Sequence, residues 1–127
     1  MMKLHLLVVL LFVAIHAEET KYTDKYDNID VDEILHSDRL LKNYFNCLMD
    51  RGRCTPVGSE IKKNLPDSLE NECQKCSEKQ KNIGKKILKY MIEQKREMFD
   101  EVEKKYDPNG VYRKRYEADL KKIGIKL

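Results

Sequence analysis

Four cysteines constrain this chain more than any other feature. Cys47, Cys54, Cys73 and Cys76 are spaced C-x6-C-x18-C-x2-C. The last pair, in "NECQKCSE", has a spacing that serves a zinc site, a redox couple or a structural disulfide. The compartment decides among these. "MMKLHLLVVLLFVAIHA" carries Lys3, an apolar run from Leu6 to Ile15 and a small Ala17 followed by Glu18 and Glu19. A charged start, an apolar middle and a small residue before cleavage read as a secretory signal peptide. A short membrane anchor is the other reading, but a span needs about 20 apolar residues. Residues 1–17 are therefore expected to be removed, leaving 18–127 as one secreted, extracellular domain in which cysteines oxidise.

The remaining chain has a lean core. About 35% of it is apolar once the leader is set aside, against the usual 45–50%. Small domains of this kind gain from disulfides. Without Lys3, 24 basic residues face 22 acidic ones. Such a balance gives no reason to expect nucleic acid as a partner. Four cysteines allow three pairings, and spacing alone does not choose. If residues 71–78 are helical, Cys73 and Cys76 lie about 5–6 Å apart on one face, within disulfide reach.

The apolar pattern is helical throughout. In "DNIDVDEILHS", Asp30 is a candidate N-cap with Glu33 three residues on, ahead of Val31, Ile34 and Leu35. Ser37 is placed to cap a second helix bearing Leu40, Leu41, Tyr44, Phe45 and Leu48. Pro56, Gly58 and Pro66 predict that any helix over 54–67 is short. Asp67 and Glu70 predict a restart running through the C-x-x-C. Ile83, Ile87 and Met91 form the next stripe, with Gly84 a candidate bend. Met98, Phe99, Val102 and Tyr106 form another, stopped by "DPNG" at 107–110. Tyr112, Tyr116, Leu120 and Ile123 form the last, ending near Gly124. No stretch alternates with the period of a strand. The expected fold is all-α, a compact bundle of about six amphipathic helices.

Catalysis is disfavoured by what is missing. His5 and His16 leave with the leader, so only His36 remains, beside the helix-capping Ser37. No nucleophile elbow, H-E-x-x-H or glycine-rich phosphate loop is present. Asp and Glu residues alternate with basic ones as solvated faces do. A redox C-x-x-C normally follows a strand, and none is predicted. A structural disulfide is the favoured reading in a secreted chain, and no metal, cofactor or enzymatic activity is expected.

The chain resembles the insect chemosensory proteins, the OS-D-like family. The resemblance rests on "YTDKYDNIDVDEIL", "NYFNCLMDRGRCTPVG", "LPDSLENECQKCSEKQK" and "KYDPNGVYRKRYEADL", with the four-cysteine spacing among them. It implies the pairing Cys47–Cys54 and Cys73–Cys76, a bundle around an internal hydrophobic channel, and a soluble monomeric carrier. The implied ligands are odorant- and pheromone-like compounds or long-chain fatty-acid derivatives. Members occur outside sensory organs, so the resemblance does not fix a physiological role. One departure is that Phe99 stands where the family commonly has Trp, and no Trp occurs anywhere.

The expected pocket is drawn from the stripes. Leu41, Tyr44, Phe45 and Leu48 supply one wall, Ile61, Leu65 and Leu69 a second, Ile83, Ile87 and Met91 a third, and Phe99 closes it. Tyr44 and Gln80 are the candidate polar handles for a ligand head group. The expected partner is a small hydrophobic molecule, with no stable membrane insertion. An alternative role as an interaction or developmental factor rests on 79–96, "KQKNIGKKILKYMIEQKR". Its seven basic residues and one acidic residue suit an anionic membrane surface, a receptor or another protein partner.

Overall fold

A computed structural model describes residues 21–127; the expected signal peptide, residues 1–17, lies outside the described residues. Six helices follow in order: α1 Val31–His36, α2 Asp38–Leu48, α3 Pro56–Glu70, α4 Glu78–Gln94, α5 Arg96–Tyr106 and α6 Val111–Lys122. The described residues contain no strand. The two disulfides are local, Cys47–Cys54 with Cα atoms 4.9 Å apart and Cys73–Cys76 with Cα atoms 5.0 Å apart.

Most helix starts are set by neighbouring side chains that satisfy otherwise orphaned N–H groups. Asp30 Oδ1 accepts from the Glu33 N–H at 3.1 Å, and Ser37 Oγ from that of Leu40 at 3.3 Å. Thr55 caps α3 through the Gly58 N–H at 3.0 Å, with Pro56 in the first turn, where it needs no donor. Ser77 and Gln80 form a reciprocal capping box on α4. Buried Asp107, in the "DPNG" turn, takes the N–H groups of Tyr112 and Arg113 at 3.2 and 2.9 Å, and so starts α6.

Four local expectations are corrected. Helix α3 is not short: it runs through Pro66 to Glu70. Pro66 is exposed, so water can reach the backbone carbonyl it leaves without a donor. The C-x-x-C is not inside a helix. Glu72 and Cys73 have φ of 56° and 62°, a left-handed pair that ends α3 and turns the chain towards α4. Gly84 marks no bend, since α4 is continuous across it. At the C-terminus Ile123 is 50% exposed while Ile125 is 1% exposed. Gly124, at φ 80°, makes a Schellman turn: its N–H meets the Lys121 carbonyl at 3.1 Å, and the Ile125 N–H meets that of Leu120 at 2.9 Å. The turn carries Ile125 inward against Leu120.

The dry core joins Val31 and Leu35 of α1, Leu41 of α2, Met91 and Ile92 of α4, Phe99 of α5, and Leu120 with Ile125 at the end of the chain. Ile83, Ile87, Leu88 and Tyr116 pack against its edge. Helix α3 contributes nothing to it. Its only buried residue is Gly58, where an added Cβ would stand 3.1 Å from Cys47 Sγ and 3.6 Å from the Tyr44 ring. Gly58→Val should therefore push α3 off α2 and cost about 1–3 kcal/mol. Gly84→Ala, with open space around the new methyl, should gain about 0.5–1 kcal/mol. Denaturant unfolding of both variants checks the opposite signs.

Candidate functional site

At 3.6 residues per turn, Val57, Gly58, Ile61, Leu65 and Leu69 share one face of α3. Gly58 rests against Cys47 and Tyr44 of α2, so this face looks into the bundle. Yet Ile61, Leu65 and Leu69 remain half-exposed and outside the core cluster. Tyr44 and Leu48 of α2 share that condition. The apolar stripe of α3 thus packs on α2 without joining the core cluster.

A circuit of polar links joins α2, α3, α5 and α6. The Cys47–Cys54 loop ties the end of α2 to the approach to α3. At the far end of α3, Tyr112 of α6 donates its hydroxyl to the Glu70 carboxylate at 2.7 Å, and Arg115 reaches the Glu70 carbonyl at 3.4 Å. Helices α6 and α5 meet through Glu103, which accepts from Arg113 at 2.7 Å and from the Tyr116 hydroxyl at 3.1 Å. Helix α5 returns to α2 through the Tyr106 hydroxyl, which donates to the Leu48 carbonyl at 2.6 Å. On the outside, exposed Asp50 bonds Lys105 of α5 and Lys62 of α3, and those two bonds hold its carboxyl down at about 2. Burial, reinforced by the Glu103 charge, raises the Tyr116 phenol above its ordinary range and keeps it a neutral donor. The hydrogen bond to Glu70 raises Tyr112 similarly.

The expected pocket residues separate into three groups. Leu41, Met91 and Phe99 lie in the dry core, and Phe45 is buried outside it, with the Arg51 guanidinium 5.6 Å from its ring centre. Ile83 and Ile87 are half-buried at the core edge. Tyr44, Leu48, Ile61, Leu65 and Leu69 are half-buried on α2 and α3, outside the core cluster. Gln80 belongs to none of these. Its Oε1 accepts from the Ser77 N–H at 3.0 Å, and its Nε2 donates to the Thr23 carbonyl at 2.9 Å and to Asp27 at 2.8 Å. The amide expected to meet a head group is thus engaged in holding α4 and the N-terminal segment. Sequence reading misses Glu103, Arg113 and the phenols of Tyr106, Tyr112 and Tyr116 as a frame. The available signal is Glu103, four residues after Phe99 on the same face of α5.

Other chemistries find little material. All four sulfurs are in disulfides, so the thiolates of a zinc site are not available. His36 ends α1, with Nδ1 2.8 Å from the Asp32 carbonyl. The basic residues of 79–96 are largely compensated: Lys81, Lys86, Lys95 and Arg96 pair with Glu78, Asp32, Asp38 and Asp100. Two surface grooves of about 450 Å³ each flank the α1–α4 contact, and both are crossed by Asp32 and Lys86. Among the described residues no helix is long and apolar enough to cross a membrane.

A six-helix bundle with two local disulfides matches the solved chemosensory proteins. Residues 22–114 match the insect pheromone-binding family A10/OS-D, and the chain belongs to that family. It is 55% identical to ejaculatory bulb-specific protein 3 of Drosophila melanogaster over 99% of this chain and 100% of that protein. A chemosensory protein solved in complex with bromo-dodecanol is 48% identical, with a TM-score of 0.73 over 78% of this chain and 99% of its own. The antennal chemosensory protein A6 of the moth Mamestra brassicae is 47% identical, with a TM-score of 0.68 over 84% and 98%.

The placement of Gln80 yields a direct expectation. Gln80→Ala should loosen residues 23–27 from the first turn of α4, raising their amide exchange at least about tenfold through local opening. Binding of a hydrophobic probe should be unchanged, because the Gln80 amide is engaged by Ser77, Thr23 and Asp27. Exchange measured by mass spectrometry, beside a probe titration, checks both halves.

Proposed function

We propose that this chain is a secreted, non-catalytic carrier that holds one small hydrophobic molecule in the space under α3. The observation that carries the reading is the half-buried apolar stripe Ile61, Leu65 and Leu69, which shares the face of Gly58 and lies outside the core cluster. A ligand seated there would bury apolar surface at about 25 cal/mol per Å². Tyr44 and Leu48 would form the opposite wall, with Ile83 and Ile87 at its inner edge. Pockets of this kind are apolar with a few placed polar groups. An alkyl chain with one polar end fits that lining, which covers pheromone- and odorant-like compounds as well as fatty-acid derivatives. The complex of a relative with bromo-dodecanol supports the same ligand shape.

The disulfides suit this role by what they leave free. They close loops across sequence separations of only 7 and 3 residues, and on the chain-entropy model each adds about 2 kcal/mol. Neither joins α3 to α5 or α6, so the frame adjusts through hydrogen bonds alone.

Leu65→Asp places a charge in this wall at a position already half-exposed, so folding should survive. Affinity for a fluorescent hydrophobic probe should fall at least about tenfold, with helical circular dichroism unchanged. Full probe binding by a folded Leu65→Asp protein would overturn the proposed site.

A further inference from the structure

Basic charge is gathered at one end of this chain. Residues 111–127 hold six basic and two acidic residues, whereas 18–110 hold 18 and 20. Helix α6 turns Tyr116 and buried Leu120 towards the core. At 3.6 residues per turn, Lys114, Arg115, Ala118, Lys121 and Lys122 fall within about 120° of one another on the opposite side. All five are exposed. The pairs Lys114–Arg115 and Lys121–Lys122 stand two turns apart, about 10 Å along the axis, with the small Ala118 between them. The acidic residues of α6, Glu117 and Asp119, lie at the two margins of this face. An extended anionic chain can therefore lie along it without meeting a carboxylate in its path.

Compensation on this face is slight, unlike that on α4. Lys114 and Lys121 make no ion pair among the described residues. Lys122 meets Asp119 at 4.0 Å, with both side chains more than three-quarters exposed, and such a contact is worth little. Arg115 is positioned rather than neutralised. Its guanidinium stands 5.5 Å from the centre of the Tyr112 ring and donates to the Glu70 carbonyl at 3.4 Å. A guanidinium carries five N–H donors, so most of those on Arg115 are left for an outside acceptor. Tyr112 is itself fixed by its bond to Glu70, which gives Arg115 a settled platform.

We propose that the outer face of α6 binds a linear sulfated polysaccharide, with Lys114, Arg115, Lys121 and Lys122 as its sulfate contacts. Sulfate esters stay ionised, and they repeat along an extended chain as these cations repeat along the helix. Ammonium and guanidinium groups both bond such oxygens, the guanidinium two at a time. A bilayer is the poorer match. Val111 and Ile123, the exposed large hydrophobics among the described residues, sit at opposite ends of α6, so no contiguous apolar patch is offered to acyl chains. Anionic lipid is also concentrated in the cytoplasmic leaflet, which a secreted chain does not face. The inference takes from the carrier reading only that the chain is secreted. Because the basic face is turned away from the bundle, polysaccharide and hydrophobic ligand bind independently.

The test is titration of fluorescently labelled heparin at neutral pH. The unaltered protein should bind it, with an affinity that falls at least about tenfold between about 50 and about 200 mM salt. Lys114→Glu combined with Lys122→Glu should weaken binding at least about tenfold. Lys85→Glu combined with Lys89→Glu makes the same change in net charge at exposed positions of α4, and should weaken it by less than about threefold. Helical circular dichroism and hydrophobic-probe binding should be unchanged in both. Where charge reversal disturbs folding, Lys114→Gln with Lys122→Gln replaces it, with an expected loss of at least about fivefold. The proposal is overturned if heparin does not bind, or if the α4 and α6 variants lose affinity equally. It is overturned also if vesicles containing phosphatidylglycerol bind as tightly as heparin and lose binding in the same α6 variant, since the face then serves a membrane. Loss of probe binding by the unaltered protein, with heparin binding kept, sinks the carrier reading alone.

Discussion

Helix α3 is bracketed by the two disulfide loops, and the rest of the architecture depends on where they put its ends. The Cys47–Cys54 loop delivers the first turn of α3 onto α2 so closely that only Gly58 fits beside Cys47. The left-handed pair Glu72 and Cys73, closed by the second disulfide, turns the chain away immediately after Glu70. A helix with both ends placed in this way cannot slide to bury its whole apolar face. Its stripe lies outside the core cluster that α1, α2, α4 and α5 complete with the end of α6 and the C-terminal tail.

Helices α3, α5 and α6 are linked through polar side chains. Helices that do not interdigitate must be held by longer-range contacts, and phenols reach further than aliphatic side chains while tolerating an apolar flank. Tyr106, Tyr112 and Tyr116 each extend from a helix face to an oxygen on a neighbouring element. Each bond is worth only about 1 kcal/mol net. A wall held in this manner is directional enough to keep its geometry and weak enough, bond by bond, to adjust.

What can be read from the sequence is local. The caps at Asp30 and Ser37, the stripes of α2, α5 and α6, and the break at "DPNG" depend on residues within one or two turns, and the structure contains them. The family signature is likewise legible, because short cysteine spacings and turn motifs are linear features. The misreadings share a different cause. Pro66 reads as a stop because its cost depends on whether the freed carbonyl faces water, which only the fold decides. Cys73 and Cys76 read as helical because left-handed backbone at a residue other than Gly leaves no clear mark in a sequence. Counting turns past Lys122 puts Ile123 in the core, whereas Gly124 reverses the chain and gives the place to Ile125. Gln80 looks free for a ligand because the partners of its Nε2, Thr23 and Asp27, lie more than 50 positions away. The half-exposed stripe of α3 is similar: periodicity reveals that Ile61, Leu65 and Leu69 share a face, not how far away the next layer stands.

The N-terminal segment 21–28 touches the rest of the protein mainly through hydrogen bonds to 67–80. Tyr22 reaches Asp67, Lys21 the Gln74 carbonyl, Asp27 accepts from Ser77 and Gln80, and Asn28 accepts from Lys79. These bonds span about half the chain, and their acceptors and donors sit at the end of α3, in the C-x-x-C loop and on the first turn of α4. Closing so long a loop is entropically costly until its far side is ordered. The carbonyls of Gln74 and Lys75, which accept from Lys21 and from the Tyr22 N–H, lie inside the Cys73–Cys76 loop, so the docking of the segment depends on the turn that this disulfide closes.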